Sequence, residues 1–411
     1  MTKIDQIISP KWMLISAKDQ PQKNLSIIVS GNKIHDILDS NDAIKKYKTS
    51  KHLKLTNHIL LPGLINPFSQ LSQQLIDNTI SQYLAEDSEI NREKFLNGHY
   101  LDITAKLTAI KLIKSGTTSY TNVSYHPNIF IETFREIGIR LFCGLPMLYN
   151  KNIWSNNEED SFKKNLAIYD KYKSYPNTKM FFCLFGSEPI SQLMLTKIAN
   201  IANELDLPIM LVNDLMKSEE KKRGIFESLI EFNLINKNFT CVDFPPNNYI
   251  LSLIKKYGIN LALSDLQEKI LTDKTIRSNI SLFIKEYSKN IDLSLIRNIE
   301  QIYLRNRYSL DISEISIMLF KIINNNAAKV ISKENNTGEL EISKNADMIS
   351  VNIDRSDIIK TNIMNLNFFD SSQHNMIDNV WIAGKHIYKD RKLVTINEHI
   401  LYDDIKYLTG S

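Results

Sequence analysis

The sequence predicts an α/β fold: a (β/α)8 TIM-like barrel, complete or short of one element, joined to a small β-sandwich that the two chain ends build together. Three observations predict it. Residues 1–60 alternate short apolar runs with turns, as an antiparallel sheet does. From Leu61 a strand-then-helix alternation sets in and continues to about residue 330, a span that suits eight βα units better than a small open sheet. Strand-like runs then return. The expected boundaries are 1–60 with 335–411 for the composite sandwich and 61–334 for the barrel.

The elements follow in order. IDQII and WMLI are short apolar runs, and NLSIIVSGNKIHDIL places Gly31 at a hairpin position. Ile103, Leu107 and Ile110 lie on one helix face, Gly116 ends that helix, and TTSYTNV follows as a strand. GIRLFCGLPM (138–147) and KMFFCLF (179–185) are further strands. Met194, Ile198, Ile201 and Leu205 mark a helix that passes at Pro208 into the strand IMLVN. Ile250, Leu253, Ile254 and Tyr257 mark another, ended by Gly258 and followed by INLALS. Asp311 and Glu314 form a capping box for a helix reaching about Val330. ADMISVNI and NVWIAGKHIYKD close the chain's strand content.

Composition excludes several functions. Of 411 residues, 43% are hydrophobic and 23% charged, the range of a soluble globular protein. The net charge of +4 is spread along the chain, without the clustered basic stripe that nucleic acid demands. No apolar h-region opens the chain and no run approaches the length of a membrane span, so neither a signal peptide nor a membrane protein is expected. Cys143, Cys183 and Cys241 sit in separate apolar runs, which fits core thiols in a reducing cytoplasm. Glycine is scarce, at 12 where average usage gives about 29. The eight histidines are His35, His52, His58, His99, His126, His374, His386 and His399, so none lies between Pro127 and Gln373. A histidine-built metal site in the middle of the chain is excluded.

ILLPGLINPFSQL (59–71) resembles the first barrel strand of the amidohydrolase superfamily, in its deaminase and triazine chlorohydrolase branch. SGNKIHDI, AIKLIKSGTTSYTNVSYHP, GIRLFCGLPML, IANELDLPIMLV, NNNAAKVI, TGELEISKNADMISVNID and VWIAGKHIYKD resemble further landmarks of that family in the same order, over nearly the whole chain. The resemblance implies C–N hydrolysis of a nucleoside- or nucleobase-like substrate by a zinc- or iron-bound water. It also implies His-x-His on strand one, one histidine each on strands five and six, and an aspartate on strand eight.

This sequence departs from that set. The strand-one positions are Phe68 and Gln70, the strand-five position is Leu211 or Val212, and the strand-six position is Thr240, with Asp243 in place of the second family histidine there. Phe185, Gly186 and Ser187 stand where the family has a substrate-contacting His-Ala-Pro. Asp265 is the better match for the strand-eight aspartate and Asp273 its rival. Between Tyr257 and Arg277 there is too little chain for strands seven and eight with their usual linker, hence the expectation that one is lost or rebuilt.

Two readings follow. One keeps a hydrolase on a carboxylate or metal-free site, drawing on Asp265, Asp243 and His126 for catalysis, with Glu86, Glu188 and Asp214 as ligand contacts; oxygen donors would suit Mg²⁺ or Ca²⁺. The other, which the apolar replacements favour, is a pseudoenzyme with no cofactor. It would bind a nucleoside-like small molecule, or act as a homodimer or as the regulatory partner of a related active subunit. His58 and His99 are read as structural.

Overall fold

In a computed structural model of the chain, the described residues are 2–16, 20–69, 98–152, 154–187, 189–214, 219–284, 294–306, 311–331, 336–353, 377–399 and 401. Eight parallel strands run in chain order around a nearly closed barrel: Leu64–Asn66, Thr117–Val123, Arg140–Pro146, Thr178–Phe185, Ile209–Val212, Phe239–Val242, Asn260–Leu263 and Ile280–Leu282. They are numbered here one to eight. Helices Gly98–Lys114, Pro127–Ile137, Glu158–Tyr172, Gln192–Leu205, Glu219–Glu231 and Asn248–Tyr257 alternate with them. The stripe of Asn248–Tyr257 faces the strands, with Ile250, Leu253 and Ile254 all buried, whereas Ile103, Leu107 and Ile110 pack with Leu401 and leave Ala105, Ala109, Leu112 and Ile113 to face the barrel. Gly258 ends its helix at φ +69°, a left-handed cap that residues with a side chain seldom adopt.

The barrel has all eight strands, which corrects the expectation of a lost one. Strand seven is four residues long and strand eight three, with the short helix Glu268–Thr272 between them. Strand eight lies beyond Arg277, outside the window in which it was sought. Asp265 therefore follows strand seven, and Asp273 precedes strand eight by several residues. Strand eight itself carries Ile280, Ser281 and Leu282, then Phe283 and Ile284, so no carboxylate stands on it. The one seam not closed by a backbone ladder lies between strands eight and one, where the Asn66 side-chain carbonyl accepts from the Ile284 N–H at 3.4 Å.

After strand eight come helix Leu295–Asn306 and a second helix, Ile312–Lys321, which continues through a π segment, Ile322–Asn326, into Ala327–Val330. Asn326 donates from the π segment to the Arg277 and Ile280 carbonyls, each at 2.7 Å, and anchors it beneath strand eight.

The chain ends meet in one nine-stranded sheet. Met348–Asn352 lies antiparallel to His52–Pro62, which lies parallel to Gln6–Met13, so the two apolar runs near the N-terminus are a single bulged strand. The sheet folds over its own core: Ile27 and Val29 share a cluster with Met348 and Trp381, although two and three strands, respectively, lie between them in the ladder. The expected sandwich is thus one curled sheet. Its two hairpin tips touch, and at Gly384 (φ +74°) an added Cβ would lie 2.4 Å from the Gly31 carbonyl. Arg140, at the start of strand three, clamps Asp347 of the sheet with two hydrogen bonds, 2.8 and 3.1 Å, and ties the two parts together.

Candidate active site at the barrel mouth

Strand alternation decides which side chains reach the barrel interior. On strand five, Leu211 belongs to the core between barrel and helices, whereas Met210 and Val212 belong to the interior cluster. Of the two candidates for the strand-five position, Val212 faces inward and Leu211 does not. On strand six, Cys241 faces the helices, Val242 the interior, and Thr240 shares the side of Val242. Ile65, Phe68, Val123, Phe142, Phe181, Cys183, Phe185 and Phe283 are further members of this apolar interior cluster. Phe68 is 3% exposed and meets Phe283 edge-on, centroids 5.2 Å apart; Phe142 stacks on Phe181 at 4.6 Å.

Polar residues form a lateral belt on the turns that follow strands four to seven. Asp214 accepts from the Ser187 N–H at 3.0 Å and from its hydroxyl at 2.5 Å. The Asn213 side chain donates to the Asp243 carbonyl at 2.9 Å, and Asp243 accepts from the Ser264 hydroxyl at 2.7 Å. Asp243 holds φ +57°, a left-handed position that aspartate tolerates better than most residues. Asp265 is clamped by Arg305 from the helix after strand eight, and that guanidinium holds its carboxyl below the usual range. Each bond joins one turn to a neighbouring element, so the carboxylates brace the rim. Asn213, Ser264 and Arg305 were not singled out in the sequence; a polar residue beside each picked carboxylate was the available signal, but Arg305 lies forty positions from its partner.

His126 lies on the turn after strand two, with strand three between it and the belt. It precedes the helix Pro127–Ile137, and burial lowers its pKa, which keeps it neutral near pH 7. The structure therefore does not bring His126 together with Asp243 and Asp265. Gln70, Glu86 and Glu188 lie outside the described residues. The three cysteines are free and buried, and burial pushes all three thiols up, away from nucleophilic thiolate.

A Ser–His contact in the terminal sheet offers a rival nucleophile, and its protons exclude it. Ser26 donates its single hydroxyl proton to Ser40 (2.9 Å), so Ser9 donates to Ser26 (2.6 Å). His52 Nε2, 2.9 Å from Ser9, is then the donor of that contact and not a base.

This architecture has solved counterparts. No protein-family model matches the chain. A 5-methylthioadenosine/S-adenosylhomocysteine deaminase of Teredinibacter turnerae is 21% identical, over 96% of this chain and 95% of its own. An adenosine deaminase from Xanthomonas campestris with bound zinc superposes with a TM-score of 0.85 at 14% identity, covering 100% of this chain and 98% of that one. An amidohydrolase from a Sargasso Sea sample gives 0.74 at 14%, covering 98% of each. The chain is thus similar over nearly its whole length to deaminases in sequence, and it shares the fold of the adenosine deaminase and the amidohydrolase.

The zinc of the Xanthomonas neighbour raises the question of a metal in this chain. The residues at the strand ends do not fit one. Phe68 and Val212 have no donor atom, Thr240 offers a neutral hydroxyl, and Ser281 and Phe283 replace any carboxylate on strand eight. Among the described residues no three His, Cys, Asp or Glu side chains group to hold an ion. Among them also, no helix is long and apolar enough to cross a membrane.

Proposed function

We propose that this amidohydrolase is a pseudoenzyme: a deaminase-type scaffold that binds a nucleoside-like molecule at the barrel mouth without hydrolysing it. The observation that carries the reading is the apolar packing at the positions where the superfamily's metal chemistry needs donors, above all Phe68 against Phe283 with Val212 inward. Polarising water requires a charged centre, and an ion placed against phenyl and isopropyl groups would lose its hydration without replacement.

The rim supports ligand binding. Tyr125 and Tyr149, on the turns after strands two and three, are 41% and 42% exposed and offer ring faces for a planar base. The belt turns beyond them offer Asp214 and Asp243 to accept from hydroxyl groups. The protein is proposed to act in the cytoplasm, in line with three free cysteines, as a homodimer or beside a related active subunit.

The test joins two measurements on protein purified without chelator. Metal analysis is expected to give far less than one zinc or iron per chain. Assays with adenosine-type nucleosides, guanine, cytosine and triazines are expected to show no turnover, while an adenosine-type nucleoside raises the Tm. Stoichiometric metal with robust deamination overturns the reading. Robust deamination without metal supports instead a hydrolase built on the carboxylate belt.

A further inference from the structure

The barrel interior carries polar groups that the mouth does not use. Side chains pointing into a (β/α)8 barrel stack in layers drawn from alternate strands. Here the register can be followed around the barrel. Thr121 pairs with Phe142, and Gly144, two residues on, pairs with Phe181. Cys183, two on from Phe181, pairs with Met210, and Met210 with Thr240. Thr240 pairs with Asn260, and Ala262, two on, with Ser281. A climb of two residues per pair of strands is the shear of an eight-stranded barrel. Thr121, Phe181, Thr240 and Ser281 therefore form one interior layer, from strands two, four, six and eight.

Three of the four members of that layer are hydroxyl residues, where barrels ordinarily place bulky branched side chains. Each is 0% exposed, and none of the three hydroxyls has a hydrogen-bond partner among the described residues. The helix end at the barrel floor adds to them. Asn324 is 0% exposed with both side-chain amide atoms unpartnered, and Ala327 and Ala328 from the same turn join the interior cluster. The next layer toward the mouth is Val123, Cys183, Val242 and Phe283, all apolar, with Phe68 packed on Phe283.

Buried hydroxyl and amide groups left unsatisfied are strongly unfavourable, and folded proteins pair nearly all of them. The hydroxyl side chains of this layer are short, both donate and accept, and carry no charge. That combination selects a neutral molecule with two or more hydrogen-bonding atoms and little bulk, which is water. We propose that the middle of this barrel is a water-binding site: a small ordered cluster held by Thr121, Thr240 and Ser281, reached from the floor by Asn324 and sealed from the mouth by the layer above. The inference is independent of whether the protein turns over a substrate.

Magnetic relaxation dispersion of water nuclei on the full chain tests it, because enclosed waters exchange more slowly than the protein tumbles. The wild type is expected to show a dispersion amplitude that falls by at least one water's worth in the Thr240→Val, Ser281→Ala double variant, with Tm unchanged or raised. Ser281→Ala alone serves if the double variant fails to fold and is expected to lower the amplitude in part. Equal amplitudes in wild type and variant overturn the proposal. So does a fall in Tm of several degrees with unchanged amplitude, which would mean that the hydroxyls are paired within the protein. A bound solute other than water, seen as added mass under native mass spectrometry, overturns it as well.

Discussion

Phe68 fills the position where the amidohydrolase resemblance implies a histidine, and its neighbours show what the phenyl ring does there. It is buried edge-on against Phe283 in the apolar cluster of the barrel interior. Phe68→Ala is expected to lower stability by about 3–5 kcal/mol, read from urea unfolding, because truncating a packed aromatic ring leaves a cavity that relaxes only in part. A ring held loosely for catalysis would cost far less to remove. A second residue gives a pH signature. His386 stacks on Trp381 at 4.3 Å and contacts the Asn379 side-chain oxygen at 2.9 Å, and burial pushes its pKa down to about 4. The unfolded chain, with its histidine near the ordinary 6.5, binds more protons between those two values. Stability therefore falls as the pH drops from about 6.5 to 4, by about 3 kcal/mol at most, and is insensitive to this group above 6.5. His386→Gln is expected to flatten that part of the stability–pH curve; an unchanged slope would assign it to other groups.

At the level of elements, the strand-then-helix alternation of the sequence locates strands two to five and strand seven, each a buried run beside a helix, while the amidohydrolase resemblance places strands one and six. Strand eight is not legible because Ile280–Leu282 is too short for alternation to register and lies beyond Arg277. For the same reason the resemblance matches Asp265 to the strand-eight aspartate, whereas it follows strand seven. Alternation also settled the strand-five ambiguity only once the sheet was in hand: Leu211 and Val212 are equally apolar in sequence, and their opposite directions follow from the ladder. The rim belt was half legible. Asp214 and Asp243 stood out as acids after strands, but Arg305 reaches Asp265 through a fold contact that no local pattern announces. The hairpin through Ala383 and Gly384 was read as one run. Its turn has a sharp requirement, since Gly384 sits at φ +74° with the Gly31 carbonyl where its Cβ would go. Gly384→Ala is expected to lower the Tm by several degrees, with Gly31, which has open space around it, tolerating alanine better.

At the level of the whole molecule, a buried ion pair joins the barrel to the terminal sheet, its partners at the start of strand three and in the turn before Met348. The Asp347 carboxylate takes both guanidinium bonds of Arg140 and also the Ala383 N–H at 2.7 Å, while Asn177 accepts from the remaining arm of Arg140 at 2.9 Å. The side chains are only 15% and 4% exposed, so removing one leaves the other charged and poorly solvated. Asp347→Ala is expected to destabilise by about 3–5 kcal/mol, more than Arg140→Met, because it strands a cation and also frees the Ala383 N–H. The double variant Arg140→Met, Asp347→Leu should recover part of the loss, as paired replacement of a buried ion pair by apolar groups often does. In a Trp154→Phe background, urea unfolding followed by the fluorescence of Trp12 and Trp381, both in the terminal sheet, and by far-UV circular dichroism, which is dominated by the barrel helices, separates two outcomes. If this pair couples the two parts, the probes coincide in the wild type and diverge in Asp347→Ala, with the sheet melting first. Coincident transitions in that variant would assign the coupling to the apolar contact instead, where Ile349, Val351 and Ile377 pack with the barrel's outer core.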